Sequence, residues 1–320
     1  MNRRPLLALA ALSPLARPAL AQSARPVRLI VPFPAGGATD AVSRLFAPLL
    51  GQRLGATVVI ENRPGAGGVP AAEVVVRAAP DGLTLLLATS SIHSTAPATG
   101  ANLPYDVERD FTPLALIGAS PSLVLVSTTV PVTDLRGFLA WAKARRGQVN
   151  YGSSGVATTP HLNGALLDSL ADLGMVHVPY RGTGAVYAEL RRGDVHVLLD
   201  VPATAATHIQ ADTVRALAVT SAAETPLAPG VPTAEAAGLP GLVSETWFGI
   251  FGPAKLPAPL AARITAAAED AMGDAELRAR LLSLGVDPRR GDGAALATAA
   301  RTERERWTEL VRRLNIRAAD

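Results

Sequence analysis

Along this chain, short apolar runs alternate with stretches in which apolar residues recur every three or four positions. Val27–Val31 is a strand-length run, and Val42, Leu45, Phe46, Leu49 and Leu50 then repeat at helical spacing. Pro48 lies inside that spacing and predicts a kink or an early end to the helix. Thr57–Ile60 reads as a second strand, and Leu83–Ala88 as a third after the turn Pro80-Asp81-Gly82. Leu123–Val126 is again strand-like. Thr133 or Asp134 caps a helix with Leu135, Phe138, Leu139 and Ala142 on one face. Val149–Tyr151 leads into a loop of small residues, then a helix aligned on Leu162, Leu166, Leu170 and Leu173. Met175–Val178 and Val195–Leu199 are strands flanking a short helix that ends at Gly193, and Arg215–Val219 is one more strand. Three helices close the chain. The first is built on Leu260, Ile264, Ala268 and Ala271. The second uses Leu277, Leu281 and Leu284 and stops at Gly285. The third carries Trp307, Leu310, Val311 and Leu314. This βαβα order predicts an α/β protein with parallel-rich sheets covered by helices. Pro226–Pro240 reads as an interdomain or surface connection, and no repeat of fixed period is present.

Composition sets the scale. At 320 residues the chain is long for one domain, and about 100–200 residues per domain suggests two. Aromatics are only 4% against 48% hydrophobic residues, so the core must be built from Leu, Val, Ala and Ile. There is no cysteine, which excludes disulfides, iron–sulfur clusters and thiolate zinc sites and fits an oxidising compartment. Residues 1–21 read as a cleaved export signal. Arg3 and Arg4 form the charged start, Pro5–Ala11 is apolar and too short to span a bilayer, and Ala19-Leu20-Ala21 is a small-x-small cleavage pattern. The Arg3-Arg4 pair leaves both general and twin-arginine export open. Cleavage removes three arginines and no acid, leaving 27 basic and 27 acidic residues from a chain of formal charge +3. The neutral mature chain has no dominant basic stripe, so nucleic acid is excluded as a partner. No other apolar run reaches the ~18–20 residues of a membrane helix.

Two strand–loop–helix units carry the candidate chemistry. The first is Pro32-Phe33-Pro34-Ala35-Gly36-Gly37-Ala38-Thr39-Asp40; the second runs from Tyr151 through Ser153, Thr158 and Thr159 to His161. Each sets backbone N–H groups at a helix start, where an anion is favoured. Ser153, Thr158 and Thr159 add hydroxyls. In α/β sheets ligands sit beyond the carboxyl ends of strands, where these loops fall, as do Ser90 and Asp200. Each loop alone is equally well read as a tight turn, and Asp40 as the N-cap of its helix or a ligand group. Enzyme motifs are mostly missing. Gly65-Ala66-Gly67-Gly68 lacks the Gly-Lys-Ser/Thr of a P-loop, Gly36-Gly37 lacks the dinucleotide spacing, and the serine loop lacks a Gly-x-Ser-x-Gly elbow. A triad of Ser153 or Ser154 with His161 and Asp200 can be written, though nothing in the spacing requires it. His93, His161, His177, His196 and His208 show no metal-binding spacing. His177 and His196 fall in strand patterns as core or surface residues, and His161 fits either helix capping or ligand contact.

At these residues the chain resembles the tripartite tricarboxylate transporter substrate-binding proteins, the Bordetella uptake gene (Bug) family. The matching blocks are Val31–Gly37 with Asp40, Glu61–Gly68, Pro80–Gly82, Leu103–Asp106 with Asp110-Phe111, and Tyr151–Ser153 through His161-Leu162. Further blocks are Val178–Gly182, Arg215–Thr220, Val231–Thr233 with Glu235, and Trp247. Their order and spacing cover residues 22–315. The resemblance implies a periplasmic type II binding-protein fold of two α/β lobes, 22–122 with 244–320 and 123–243, joined by two crossovers. It implies a non-enzymatic periplasmic receptor without a cofactor. Hinge closure over a small carboxylate (a mono- or dicarboxylate, amino acid or aromatic acid) would deliver it to membrane permease subunits from a monomeric receptor. By matching position it points to Phe33, Ala35, Gly36, Gly37, Ala38, Ser153, Thr158, Thr159 and the strand-end acid Asp200 as ligand-binding. Ala35 stands where a second proline is common, Ala165 where an acid is, Ala185 where a proline is, and Ser91–Thr99 is unusual. The alternatives are a secreted serine hydrolase acting through Ser153 or Ser154, a carboxylate sensor without a permease, and an interaction module with a vestigial cleft.

Overall fold

The computed structural model describes residues 25–180 and 182–316; the proposed export signal and Arg181 lie outside them. In chain order the strands are β1 Val27–Val31, β2 Val58–Asn62, β3 Thr84–Thr89, β4 Phe111–Pro121, β5 Leu123–Ser127, β6 Asn150–Ser153, β7 Val176–Pro179, β8 Val197–Asp200, β9 Val214–Val219, β10 Glu245–Pro253 and β11 Asp287–Asp292. The helices are α1 Ala38–Leu54, α2 Val69–Val76, α3 Ala96–Ala98, α4 Leu135–Lys143, α5 Thr159–Ala171, α6 Thr183–Arg192, α7 Pro202–Gln210, α8 Ala258–Ala271, α9 Ala275–Ser283 and α10 Gly293–Leu314.

The strands form two sheets, ordered β11-β4-β10-β3-β1-β2 and β7-β6-β8-β5-β9. Both are mixed. β1 lies parallel to β2 and β3, and β6 parallel to β7 and β8. The strands that enter and leave the crossovers run antiparallel: β10 to β3 and β4, and β5 to β8 and β9. The fold class is therefore α/β as expected, with more antiparallel pairing than the βαβα order predicts.

The apolar pattern misses the antiparallel strands β4, β10 and β11, because glycines and prolines interrupt them, and it also misses the short helices α2 and α3. Those glycines answer to distant neighbours. A Cβ on Gly118 of β4 would lie 2.7 Å from the carbonyl oxygen of Asp287 in β11, so only glycine lets the two strands approach. The helix α7 is also missed, since its buried face offers only Pro202 and Ala205. Pro48 does not end α1 early. The helix continues to Leu54 because the downstream Leu50 and Leu54 are buried, and it stops at the left-handed Gly55.

Two chain passages join the sheets. β4 enters β5 through Ser122, and residues 220–244 lead from β9 back to β10. Thr220 ties them together: its hydroxyl accepts from the Ser122 N–H at 2.9 Å and donates to the Ser244 carbonyl at 2.6 Å. The Pro226–Pro240 stretch packs on the second sheet through buried Ala228, Ala234 and Leu239. Helix α10 reaches both layers. Leu296 and Ala300 pack with Trp247 and Phe251 of the first, and Trp307 and Leu310 with Phe138 and Leu162 of the second.

Candidate functional site

A cleft of about 480 Å³ opens between the two sheets. Its first wall holds Phe33, Gly37 and Ala38 at the start of α1, Ser90 after β3, and Phe248 on β10. Its second wall holds Thr159 at the start of α5 and Val201, Ala203 and Thr204 at the start of α7. Three helix N-termini thus face one space. Their N-caps are Gly37, Thr158 and Val201, and no side chain caps any of the three. Helices α4, α9 and α10 are each capped by an aspartate, whose carboxylate accepts from the third helical N–H; α2, α6 and α8 are uncapped too but do not line the cleft, so it is the convergence on one space that sets α1, α5 and α7 apart. Apart from Thr204, whose N–H bonds the Val201 carbonyl at 3.1 Å, the first-turn donors of α1, α5 and α7 are therefore left for something else. Pro202 and Pro160 remove one donor each from α7 and α5, which concentrates the remaining N–H groups at Ala38, Thr39, Thr159 and Ala203.

Among the described residues, no Asp, Glu, Lys, Arg or His lines this cleft. Its polar character comes from hydroxyls, including Thr39, Ser90, Ser120, Thr159, Thr204 and Thr246, set among Phe33, Phe248, Leu284 and Val286. Such a surface can hold an anion by N–H and O–H donation and by helix dipoles, with no formal counter-charge among the described residues.

The loop before α1 is pinned by Asp40. Asp40 is neither the N-cap nor in the cleft lining; it is the third residue of the helix and reaches back. Its carboxylate accepts from the Gly36 N–H at 2.8 Å, from Asn62 Nδ2 at 3.0 Å and from Arg44 Nε at 2.7 Å. Asn62 also donates to the Phe33 carbonyl at 3.0 Å. The Arg44 guanidinium, helped by the Gly36 and Asn62 donors, holds the buried Asp40 carboxyl down to about 2. Arg44 offsets a charge that would otherwise repel an incoming anion.

Among the sequence candidates, Phe33, Gly37, Ala38, Ser90 and Thr159 line the cleft. Ala35, Gly36, Ser153, Thr158 and Asp200 do not, and four of them have other partners. The Gly36 N–H is taken by Asp40. Ser153 is fully buried; its hydroxyl sits 2.7 Å from His177 Nε2 and accepts from the Gly155 N–H at 3.1 Å. Thr158 donates its hydroxyl to the Gly155 carbonyl at 2.7 Å. Asp200 is buried at the end of β8, where it accepts from the Val201 N–H and the Tyr187 hydroxyl, and burial raises its pKa. These residues shape the loops that carry the cleft donors.

The Ser153–His161–Asp200 triad is not assembled. Ser153 pairs with His177, and Asp200 is occupied by Tyr187 and Val201. His161 stacks on His177 with centroids 3.7 Å apart and accepts the Ala157 N–H on Nδ1. Burial lowers His161 to about 4 and lowers His177 as well, so both rings are neutral near pH 7. Among the described residues no group of His, Cys, Asp or Glu is placed to hold a metal ion, and no helix is long and apolar enough to cross a membrane.

Sequence reasoning missed the wall from α7 and the segment Leu284–Val286. The first had a usable signal: a strand ending at Asp200 runs straight into Val201-Pro202, with proline at the first helical position.

This α/β architecture, two sheets each packed on both faces with a cleft between them, is that of a periplasmic solute-binding protein. Residues 42–316 match the family described as "Tripartite tricarboxylate transporter family receptor". A Pseudomonas sp. (strain P51) protein, "UPF0065 protein in tcbD-tcbE intergenic region", is 36% identical over 292 residues, which is 90% of this chain and 85% of that one. Two solved structures from Rhodopseudomonas palustris are similar throughout. MatC (Rpa3494) with bound malate has a TM-score of 0.71 at 35% identity, covering 90% of this chain and 99% of that one. Rpa4515 with adipate has a TM-score of 0.75 at 30% identity, covering 92% and 98%. The chain belongs to the tripartite tricarboxylate transporter receptor family, the Bug family. This is a family of periplasmic solute-binding proteins and not of enzymes.

Proposed function

We propose that this protein is a periplasmic receptor that holds a small carboxylate between its two lobes and presents it to membrane permease subunits. The observation that carries the reading is the convergence of the α1, α5 and α7 first turns on one cleft without a side-chain cap on any of them. The malate and adipate bound to MatC and Rpa4515 support a carboxylate as the anion. The lobes are residues 22–122 with 244–320 and residues 123–243, and the hinge lies where Thr220 ties Ser122 to Ser244. The receptor is monomeric and is exported by residues 1–21.

Closure is driven by the ligand, because only a bound ligand contacts both walls at once. Each helix terminus contributes about 0.3–1 kcal/mol when exposed. Micromolar binding requires about −8 kcal/mol. Hydrogen bonds from N–H and O–H groups in a closed, water-poor cleft supply most of the difference.

A thermal-shift panel of mono- and dicarboxylates, amino acids and aromatic acids tests the reading. An acid present at ~100-fold over its Kd stabilises by ~2.7 kcal/mol, which raises Tm by several degrees. Absence of any shift across the panel contradicts the proposal and favours an interaction module. Labelling by a fluorophosphonate distinguishes the hydrolase alternative and is expected to be negative.

A further inference from the structure

The cleft has a third wall that neither loop supplies. Helix α9 ends at Ser283 with Leu284 as its C-cap, and the chain reverses through Gly285 at φ +77°, with the Gly285 and Val286 N–H groups bonded to the Leu282 and Leu281 carbonyls. This turn belongs to the first layer, since Leu281 and Val286 are in its core. Leu284, Gly285 and Val286 nevertheless line the cleft beside Ala203 and Thr204 of α7, which belong to the second layer. The approach is close. A Cβ built on Gly285 would lie 2.6 Å from the Ala203 Cβ and 3.4 Å from its backbone nitrogen. No L-residue side chain fits at 285 without moving α7, and the facing residue carries a single carbon. Ala203 is otherwise exposed, so its own layer places no limit on its size.

We infer that Gly285 against Ala203 is the stop on which the two lobes close, and that the size of residue 203 sets how deep the closed cleft is and hence the length of acid accepted. The length claim rests on the carboxylate reading above; the stop itself does not. Ala203 and Gly285 are positioning residues: they act by fixing the separation of the helix termini that hold the ligand. A bulkier residue at 203 holds the α7 donors away from the α1 donors, so short acids no longer bridge them while longer ones do.

Two measurements test this. The first is calorimetry of the wild type and Ala203→Leu with a series of linear carboxylates and dicarboxylates from three to eight carbons. The expected result is at least a tenfold loss for the shortest good ligand of the wild type, with the optimum moved to a longer acid and the Tm of the unliganded protein unchanged. The same order of acids in both proteins overturns the length claim. The second measurement does not depend on knowing the ligand. The chain has no cysteine, so Ala203→Cys with Gly285→Cys gives one pair alone. A disulfide needs Cβ atoms about 3.5–4.5 Å apart, which a small parting of the lobes from the observed contact provides. Oxidation by oxidised glutathione is expected to close the pair within one chain, read as lost free thiol and a gel shift, whereas Ala203→Cys with Arg77→Cys stays reduced. Failure of the 203–285 pair to close overturns the stop. If the wild type binds no acid while the pair closes, the carboxylate reading falls and the stop stands.

Discussion

Glu303 of α10 accepts the indole N–H of Trp247 at 2.7 Å and that of Trp307 at 3.2 Å. Trp247 packs with the first layer and Trp307 with the second, so one buried carboxyl joins the cores of both. Burial pushes its pKa from 4.5 up to about 7, against the lowering effect of its hydrogen-bond donors and of Arg306.

That shift makes stability depend on pH in a defined direction. Between pH 4.5 and about 7 the unfolded chain has released the proton while the folded chain still holds it. Stability from this group therefore falls as pH rises through that window, by roughly 3 kcal/mol at most. Urea denaturation of Glu303→Gln at pH 5 and pH 8 is expected to show this dependence removed. The variant is also less stable at pH 5 by about 1–3 kcal/mol, because the amide nitrogen that replaces one oxygen of the neutral acid accepts no indole N–H. An unchanged pH profile contradicts this account of Glu303.

Asp40→Ala removes the acceptor of Gly36, Asn62 and Arg44 and releases the loop that carries Phe33 and Gly37. The expected cost is about 1–3 kcal/mol in urea denaturation, with at least a tenfold weaker acid in calorimetry. The pH dependence of Asp40 opposes that of Glu303. Its carboxyl lies below its ordinary 3.8, at about 2, so its contribution is full above pH 3.8 and is lost as pH falls through about 2.

Gly37→Asp separates binding from folding. Gly37 sits at φ −79° and ψ 170°, which any residue adopts, and an added Cβ meets only the Pro34 carbonyl oxygen at 3.4 Å. The variant is expected to fold with a Tm close to that of the wild type. Its carboxylate caps α1 and places a negative charge in the cleft, so acid binding falls by more than about 100-fold, a penalty near 2.7 kcal/mol.

Ser153→Ala is expected to act on stability and not on chemistry. It leaves His177 Nε2 and the Gly155 N–H without their partner, a loss of about 1–3 kcal/mol by denaturation. Ester turnover by the wild type, abolished in the variant, contradicts the structural role given to Ser153.

Much of the fold was legible because local rules agreed with the tertiary outcome. Val27–Val31 and Leu123–Val126 are strands, the Leu277 helix stops just before the left-handed Gly285, and Asp134 caps α4. The antiparallel strands were not, because Gly118 is needed by its contact with β11, some 170 residues away. The site was half legible. Helix starts at Gly37 and Thr159 can be read from a loop of small residues. That the Ser153 hydroxyl faces His177 depends on the register of β6 against β7, which pairs Tyr151 with His177. The wall at Leu284–Val286 depends on how far α7 lies from α9, and no local pattern records that.

The central claim is that helix-terminal N–H and O–H donors hold a carboxylate in a cleft where no described residue supplies a counter-charge. Calorimetry of the wild type with the acid that gives the largest thermal shift, beside the same molecule with its carboxylate converted to a primary amide, tests it most directly. Size and shape are retained, but one of the two acceptor oxygens becomes a donor. The account predicts that the acid binds and the amide binds at least ~100-fold more weakly, about 2.7 kcal/mol. Equal affinity for acid and amide would contradict it.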